Sequence, residues 1–138
     1  MEAVSICRDV LEVDSENREA RITMILALTD QMAAEPSAFH EAIAAASDLP
    51  SEYDQAYYSG IAWERRAKSR FQQNSPGTSE FVYECVQEAM RRYEKAEALA
   101  AEGDVDPILR WNTCARFLDS HPHLGPASHE RAPAVTLE

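Results

Sequence analysis

The stretch Val82-Tyr83-Glu84-Cys85-Val86-Gln87-Glu88-Ala89-Met90-Arg91-Arg92-Tyr93-Glu94-Lys95-Ala96 decides the fold class. Val82, Val86, Ala89, Tyr93 and Ala96 recur every three or four residues, the period of one face of an α-helix. Thr78 or Ser79 caps the start of this helix, which reaches about Ala101 before Gly103 ends it.

Working outward, breakers divide the rest of the chain into further helices. Upstream, Asn74-Ser75-Pro76-Gly77 is the clearest turn, and before it a long helix runs from about Glu52 to Gln72. Pro36-Ser37 opens a short alanine-rich helix from Ala38 to Ser47, closed by Leu49-Pro50-Ser51. Between Glu16 and about Ala34, Ile22, Met24, Ile25, Leu26 and Leu28 cover most of a helix circumference, so this helix has neighbours on more than one side. Val4, Cys7, Val10 and Leu11 form an opening helix that stops before Asp14-Ser15, residues able to cap the next one. Downstream, Asp106-Pro107 introduces a last helix with Ile108, Trp111, Ala115 and Leu118 on one face. No stretch alternates apolar and polar residues for long enough to suggest a strand.

Composition agrees with these local signals. The chain has 138 residues, the size of one domain, with 4 glycines and 22 alanines, so the strongest helix former far outnumbers the most permissive residue. Its formal charge of -11 opposes binding to a phosphate backbone, which Lys and Arg must neutralise. Residues 1–60 carry 12 acids against 3 bases, so an anionic membrane or nucleic acid meets repulsion there, whereas a mixed-charge protein or peptide does not. The near-apolar run Ile22 to Leu28 is too short to span a bilayer, and Glu2, Arg8 and Asp9 interrupt any apolar leader. Cys7, Cys85 and Cys114, odd in number and set in apolar helical patterns, read as reduced core residues of a cytoplasmic protein.

The segment Glu88 to Ala96 places a small residue, an aromatic four later and a small residue three after that. It resembles the second helix of a tetratricopeptide repeat, in which small residues let paired helices approach and the aromatic fills the groove between them. Ser59-Gly60 with Ala62-Trp63 is similar to the first-helix pattern of that family, as are Trp111, Cys114, Ala115 and Leu118. Leu11 to Asn17 looks like its inter-repeat turn, with Ser15 where the family has proline. The repeat is about 34 residues long, yet the corresponding small residues Gly60 and Ala115 lie 55 apart, so the repeats here are atypical. The resemblance implies an all-α fold of about six helices, stacked as antiparallel helical hairpins into a right-handed α-solenoid over residues 1–120. Residues 121–138 lack an apolar period and are expected to form a flexible tail, with Leu137-Glu138 in the form of a vector-derived ending.

Chemistry-bearing motifs are few. After His40-Glu41 the second ligand of a zinc-protease helix would fall at Ala44, so that motif is absent. His121, His123 and His129 sit in proline-interrupted sequence without fixed geometry, and no metal or other cofactor is expected. No glycine-rich phosphate loop or nucleophile elbow occurs. The basic run Arg65, Arg66, Lys68 and Arg70 reads first as an exposed face paired with nearby acids.

Resemblance to the repeat family supplies a second reading of that run, because ligands of the family lie against the inner faces of first helices. Carried over by position, those faces present Tyr57, Ile61 and Arg65 on one helix and Asn112 and Arg116 on another. An arginine fork with an amide and a phenol can grip a peptide carboxylate or backbone. The expected function is therefore a non-catalytic scaffold for a protein or peptide partner, with Tyr57, Arg65, Asn112 and Arg116 as its binding residues. An enzyme or small-ligand sensor using Glu64, Glu84 and Tyr57 in a pocket between helices is the alternative. Self-association into a homo-oligomer is a third reading, since a truncated repeat stack exposes its end surfaces.

Overall fold

Six helices follow one another in the computed structural model, which describes residues 2–126, and no strand occurs among those residues. They are α1 (Glu2–Val13), α2 (Arg18–Gln31), α3 (Ser37–Ser47), α4 (Glu52–Gln73), α5 (Ser79–Leu99) and α6 (Asp106–Ser120). The protein is thus all-α, as composition and periodicity predict. No helix among the described residues is long and apolar enough to cross a membrane.

Side-chain caps open two of the helices, α2 and α4, and the starts of α2 and α5 depart from the sequence reading. Asn17 rather than Asp14-Ser15 caps α2, its side-chain oxygen accepting the Ala20 N–H at 2.9 Å. Asp14 is consumed within the preceding turn, where its Oδ1 accepts the Glu16 N–H at 3.3 Å. Thr78 stands at the N-cap position of α5 but makes no side-chain cap bond there, and its hydroxyl donates to the Ser75 carbonyl at 2.8 Å. Ser51 caps α4 through the Asp54 N–H at 3.2 Å. The α4–α5 turn needs two left-handed residues, Asn74 at φ 53° and Gly77 at φ 78°, residue types that tolerate that region.

Each helix packs on its neighbours in the chain, and α2 also packs on α4. One apolar cluster joins α1, α2, α3 and α4 through Val4, Ile25, Leu28, Phe39, Ala42 and Ala62. A second joins α4, α5 and α6 through Ile61, Ala67, Val86, Ala89, Tyr93 and Cys114. Helix α2 serves both, since Met24 packs against the first cluster and Leu26 against the second. That double role is the physical reason for its near-circumferential apolarity.

The α4–α5 contact is the most extensive. Tyr93 is 0% exposed and so are Ala89 and Ala96, the two small residues that flank it. Opposite them, Gly60 lies so near the Tyr93 ring that a Cβ added there would sit 2.7 Å from Cε1. Burying a ring of this size contributes on the order of 1.5–3 kcal/mol.

Of the expected tail, residues 121–126 are described, and within them Leu124 is 7% exposed and joins the second cluster. The His121 ring lies 4.7 Å from Phe71 and 4.5 Å from Phe117, centroid to centroid. His129 and the rest of the tail lie outside the described residues.

Candidate functional site

Long helices bring distant polar residues together at two places. The first is between α4 and α6. Glu64 is buried, with 4% of the residue exposed, and has one hydrogen-bond donor and two cations beside it. The Tyr93 hydroxyl donates to its Oε1 at 2.7 Å, Lys68 Nζ lies 2.9 Å from Oε2, and an Arg110 nitrogen lies 3.9 Å from Oε1. Lys68 is one helical turn beyond Glu64, the favourable order for an i,i+4 pair.

These groups shift one another. Burial, and then the Glu64 carboxylate, hold the Tyr93 phenol far above its ordinary value, so it remains a donor. Burial works against the Arg110 charge, but the neighbouring Tyr57 hydroxyl, Tyr93 and Glu64 outweigh it and raise the guanidinium above its usual value. The Cys114 thiol is pushed up to about 12, first by burial and then by Glu64. Cys85 is pushed up to about 11, mainly by burial. Cys7, Cys85 and Cys114 are all free and buried, and Cys85 and Cys114 are held as thiols, the non-nucleophilic form.

The four residues expected to bind a partner have different surroundings. Tyr57 stacks on Tyr53 at 5.8 Å, packs near Tyr93 at 5.9 Å, and meets Arg110. Arg65 reaches toward α2 instead, donating to Thr29 Oγ1 at 2.8 Å and to the Leu26 carbonyl at 3.4 Å, with Asp30 at 3.5 Å. Asn112 is half-buried. Arg116 is exposed and makes one long contact, 3.4 Å, to the Thr113 hydroxyl. Lys68 and Arg110, both missed by position-by-position carry-over, stand on this side with side chains 44% and 43% exposed. Their i,i+4 and cross-helix relation to Glu64 was legible only for Lys68, since Arg110 depends on how α6 packs.

Of the pocket residues in the enzyme or sensor alternative, Glu64 is near Tyr57 through Arg110, but exposed Glu84 lines a separate cavity with Trp63 and Arg66. Among the described residues no three His, Cys, Asp or Glu side chains are grouped to hold a metal ion.

The second place is between α3, α4 and α5, and it divides the basic run. Arg65 and Lys68 have acids nearby, as an exposed paired face requires. Arg66 and Arg70 lie over aromatic rings instead. The Arg66 Cζ is 4.1 Å from the Phe39 centroid and 5.0 Å from that of Phe81, while the Arg70 Cζ is 4.6 Å from Phe81. Such placements contribute about 0.5–2 kcal/mol each, depending on desolvation.

Comparison with known protein families, with curated proteins and with solved structures finds no match.

Proposed function

We propose that the protein is a non-catalytic helical-repeat scaffold of the tetratricopeptide type, acting in the cytoplasm and holding a protein or peptide along the α2–α4–α6 side. The repeat reading draws support from Gly60 seated against Tyr93, with Ala89 and Ala96 fully buried beside it. Small residues opposite an aromatic are what the resemblance requires of a paired first and second helix.

One observation carries the binding reading. Arg65, Lys68 and Arg110 are each anchored by acceptors of the fold, yet each keeps about two-fifths of its side chain exposed, at 39%, 44% and 43%. In a chain of net charge -11, such held cations are suited to a partner carboxylate, with Arg116 and Asn112 extending the surface. Anchoring at one edge reduces the entropy lost when a guanidinium or ammonium meets its ligand.

The test is a panned library of short peptides with free carboxyl ends, followed by titration of the selected peptide. Lys68→Ala and Arg116→Ala are each expected to weaken binding by about 1.5–3 kcal/mol, roughly 10- to 150-fold. Arg8→Ala, whose side chain pairs with Glu41, is the control. Equal affinities for all four proteins, or a library that yields no binder, would remove the proposal.

A further inference from the structure

A cavity of about 630 Å³ opens beside α4 and α5, and its wall includes Trp63, Arg66, Phe81, Glu84, Glu88 and Arg91. Trp63 and Arg66 are three residues apart on α4, as are Phe81 and Glu84 on α5. Residues at that spacing are neighbours on one helix face. Each helix therefore brings one aromatic ring and one charge to the cavity, and the two charges are of opposite sign.

The other two charges in this wall are paired with each other. Glu88 Oε1 lies 2.7 Å from an Arg91 nitrogen, and Arg92 holds its Oε2 at 2.8 Å. Arg66 and Glu84 are not consumed in this way. The Arg66 guanidinium carbon lies 4.1 Å from the Phe39 centroid and 5.0 Å from that of Phe81. Among the described residues it has no hydrogen-bond acceptor or carboxylate partner, and a guanidinium laid over rings keeps its N–H groups for one. Exposed Glu84 has no donor or cation bonded to it among the same residues. Both charges still reach one group, since the thiol of Cys85, also in the wall, is pulled toward ionisation by Arg66 and away from it by Glu84. Phe81 touches Arg66 and is one turn from Glu84, so the two charges flank a single ring. Trp63 adds a buried indole N–H that donates to nothing among the described residues.

We propose that this cavity binds a free α-amino acid with an apolar side chain, Arg66 taking the carboxylate, Glu84 the ammonium, and Phe81 with Trp63 the side chain. An α-amino acid carries both charges on one carbon, so a single small molecule answers an unpaired cation and an unpaired anion that border one space. A carboxylate or an amine alone would leave one of them unanswered, and a longer peptide holds its two terminal charges far apart. A volume of about 630 Å³ lies within the range of small-ligand sites, roughly 300–1,000 Å³. The site goes beyond the scaffold reading, since it uses none of the residues on the α2–α4–α6 side and stands whether or not that side binds peptides.

A ¹H–¹⁵N NMR titration tests it, read at the Trp63 indole N–H. Trp111 gives the only other indole signal, and its N–H is already bonded to Glu94. L-Phenylalanine is expected to produce a saturable shift. 3-Phenylpropionate lacks the ammonium, phenethylamine the carboxylate and glycine the apolar body, and each is expected to bind at least about threefold more weakly. Arg66→Gln is expected to lower the affinity for L-phenylalanine about tenfold or more. Glu84→Gln, at an exposed position, is expected to lower it about three- to tenfold while leaving 3-phenylpropionate binding no weaker, because that ligand has no ammonium to lose. Glu84 makes no bond within the fold, so its variant keeps the test valid if Arg66→Gln fails to fold. Absence of a saturable shift with L-phenylalanine, 3-phenylpropionate binding as tightly as L-phenylalanine, or parental affinity in Glu84→Gln would each overturn the proposal.

Discussion

Replacing Gly60 with alanine puts a methyl carbon 2.7 Å from Cε1, 2.9 Å from Cδ1 and 3.2 Å from Cζ of Tyr93. On an exposed helix this substitution would stabilise by about 1 kcal/mol, through the loss of glycine's conformational freedom. Here the ring must retreat, and it has little room. Tyr93 is 0% exposed, has Tyr57 at 5.9 Å, and is tied by its hydroxyl to Glu64 at 2.7 Å. Overpacking costs about 1–3 kcal/mol. If the ring turns, the hydrogen bond to a buried carboxylate weakens as well, a further loss of up to about 1.5–3 kcal/mol. The net expectation is destabilisation by about 1–3 kcal/mol, read as a lower urea midpoint by far-UV circular dichroism. A double-mutant cycle with Tyr93→Leu isolates the contact, because the alanine should cost much less once the ring is gone. Stabilisation of the single variant by about 1 kcal/mol, the propensity gain alone, would refute the α4–α5 register.

Ala89→Leu and Ala96→Leu are each expected to destabilise by about 1–3 kcal/mol, since both sites are fully buried; parental urea midpoints would count against it. At mildly alkaline pH the Cys85 and Cys114 thiols, pushed up to about 11 and about 12, should resist iodoacetamide in the native protein and react in urea. Fast native labelling followed by mass spectrometry would contradict that. Burial of Glu88 opposes its charge, but hydrogen bonds from Arg91 and Arg92 prevail and hold its carboxyl below the usual value. Its contribution is therefore complete above the unfolded carboxyl pKa, roughly 4.3, and is lost as the pH falls through the lower folded value. The stability gap between the parent and Glu88→Gln should shrink on acidification, and a gap that widens would reverse the assignment.

Helix existence was legible because it depends on local terms: apolar period, proline and glycine placement, and alanine content. Boundaries were legible to within a few residues, and the departures are local competitions, as where Asp14 folds into its own turn and leaves Asn17 to cap α2. The small face around Tyr93 was also readable, since Ala89 and Ala96 repeat at helical spacing on one helix. Tertiary partners were not. Nothing in the run Arg65 to Arg70 tells that Arg65 turns to Thr29 while Arg66 turns to Phe39, because those choices depend on which neighbour flanks each face of α4. Arg110 was missed for the same reason, as its approach to Glu64 spans 46 residues of chain.

The central claim is that the helices form an open stack, and the separation of its ends tests this most directly. Spin labels at Ile6→Cys on α1 and Leu109→Cys on α6 would occupy positions 60% and 56% exposed, while the native thiols are buried. An open stack places about three interaxial spacings of 8–10 Å between those helices, so electron–electron resonance should give a distance of roughly 25–30 Å or more. A distance of about 10–15 Å, the width of one helix contact with its side chains, would mean that α1 and α6 close a bundle and would contradict the repeat account.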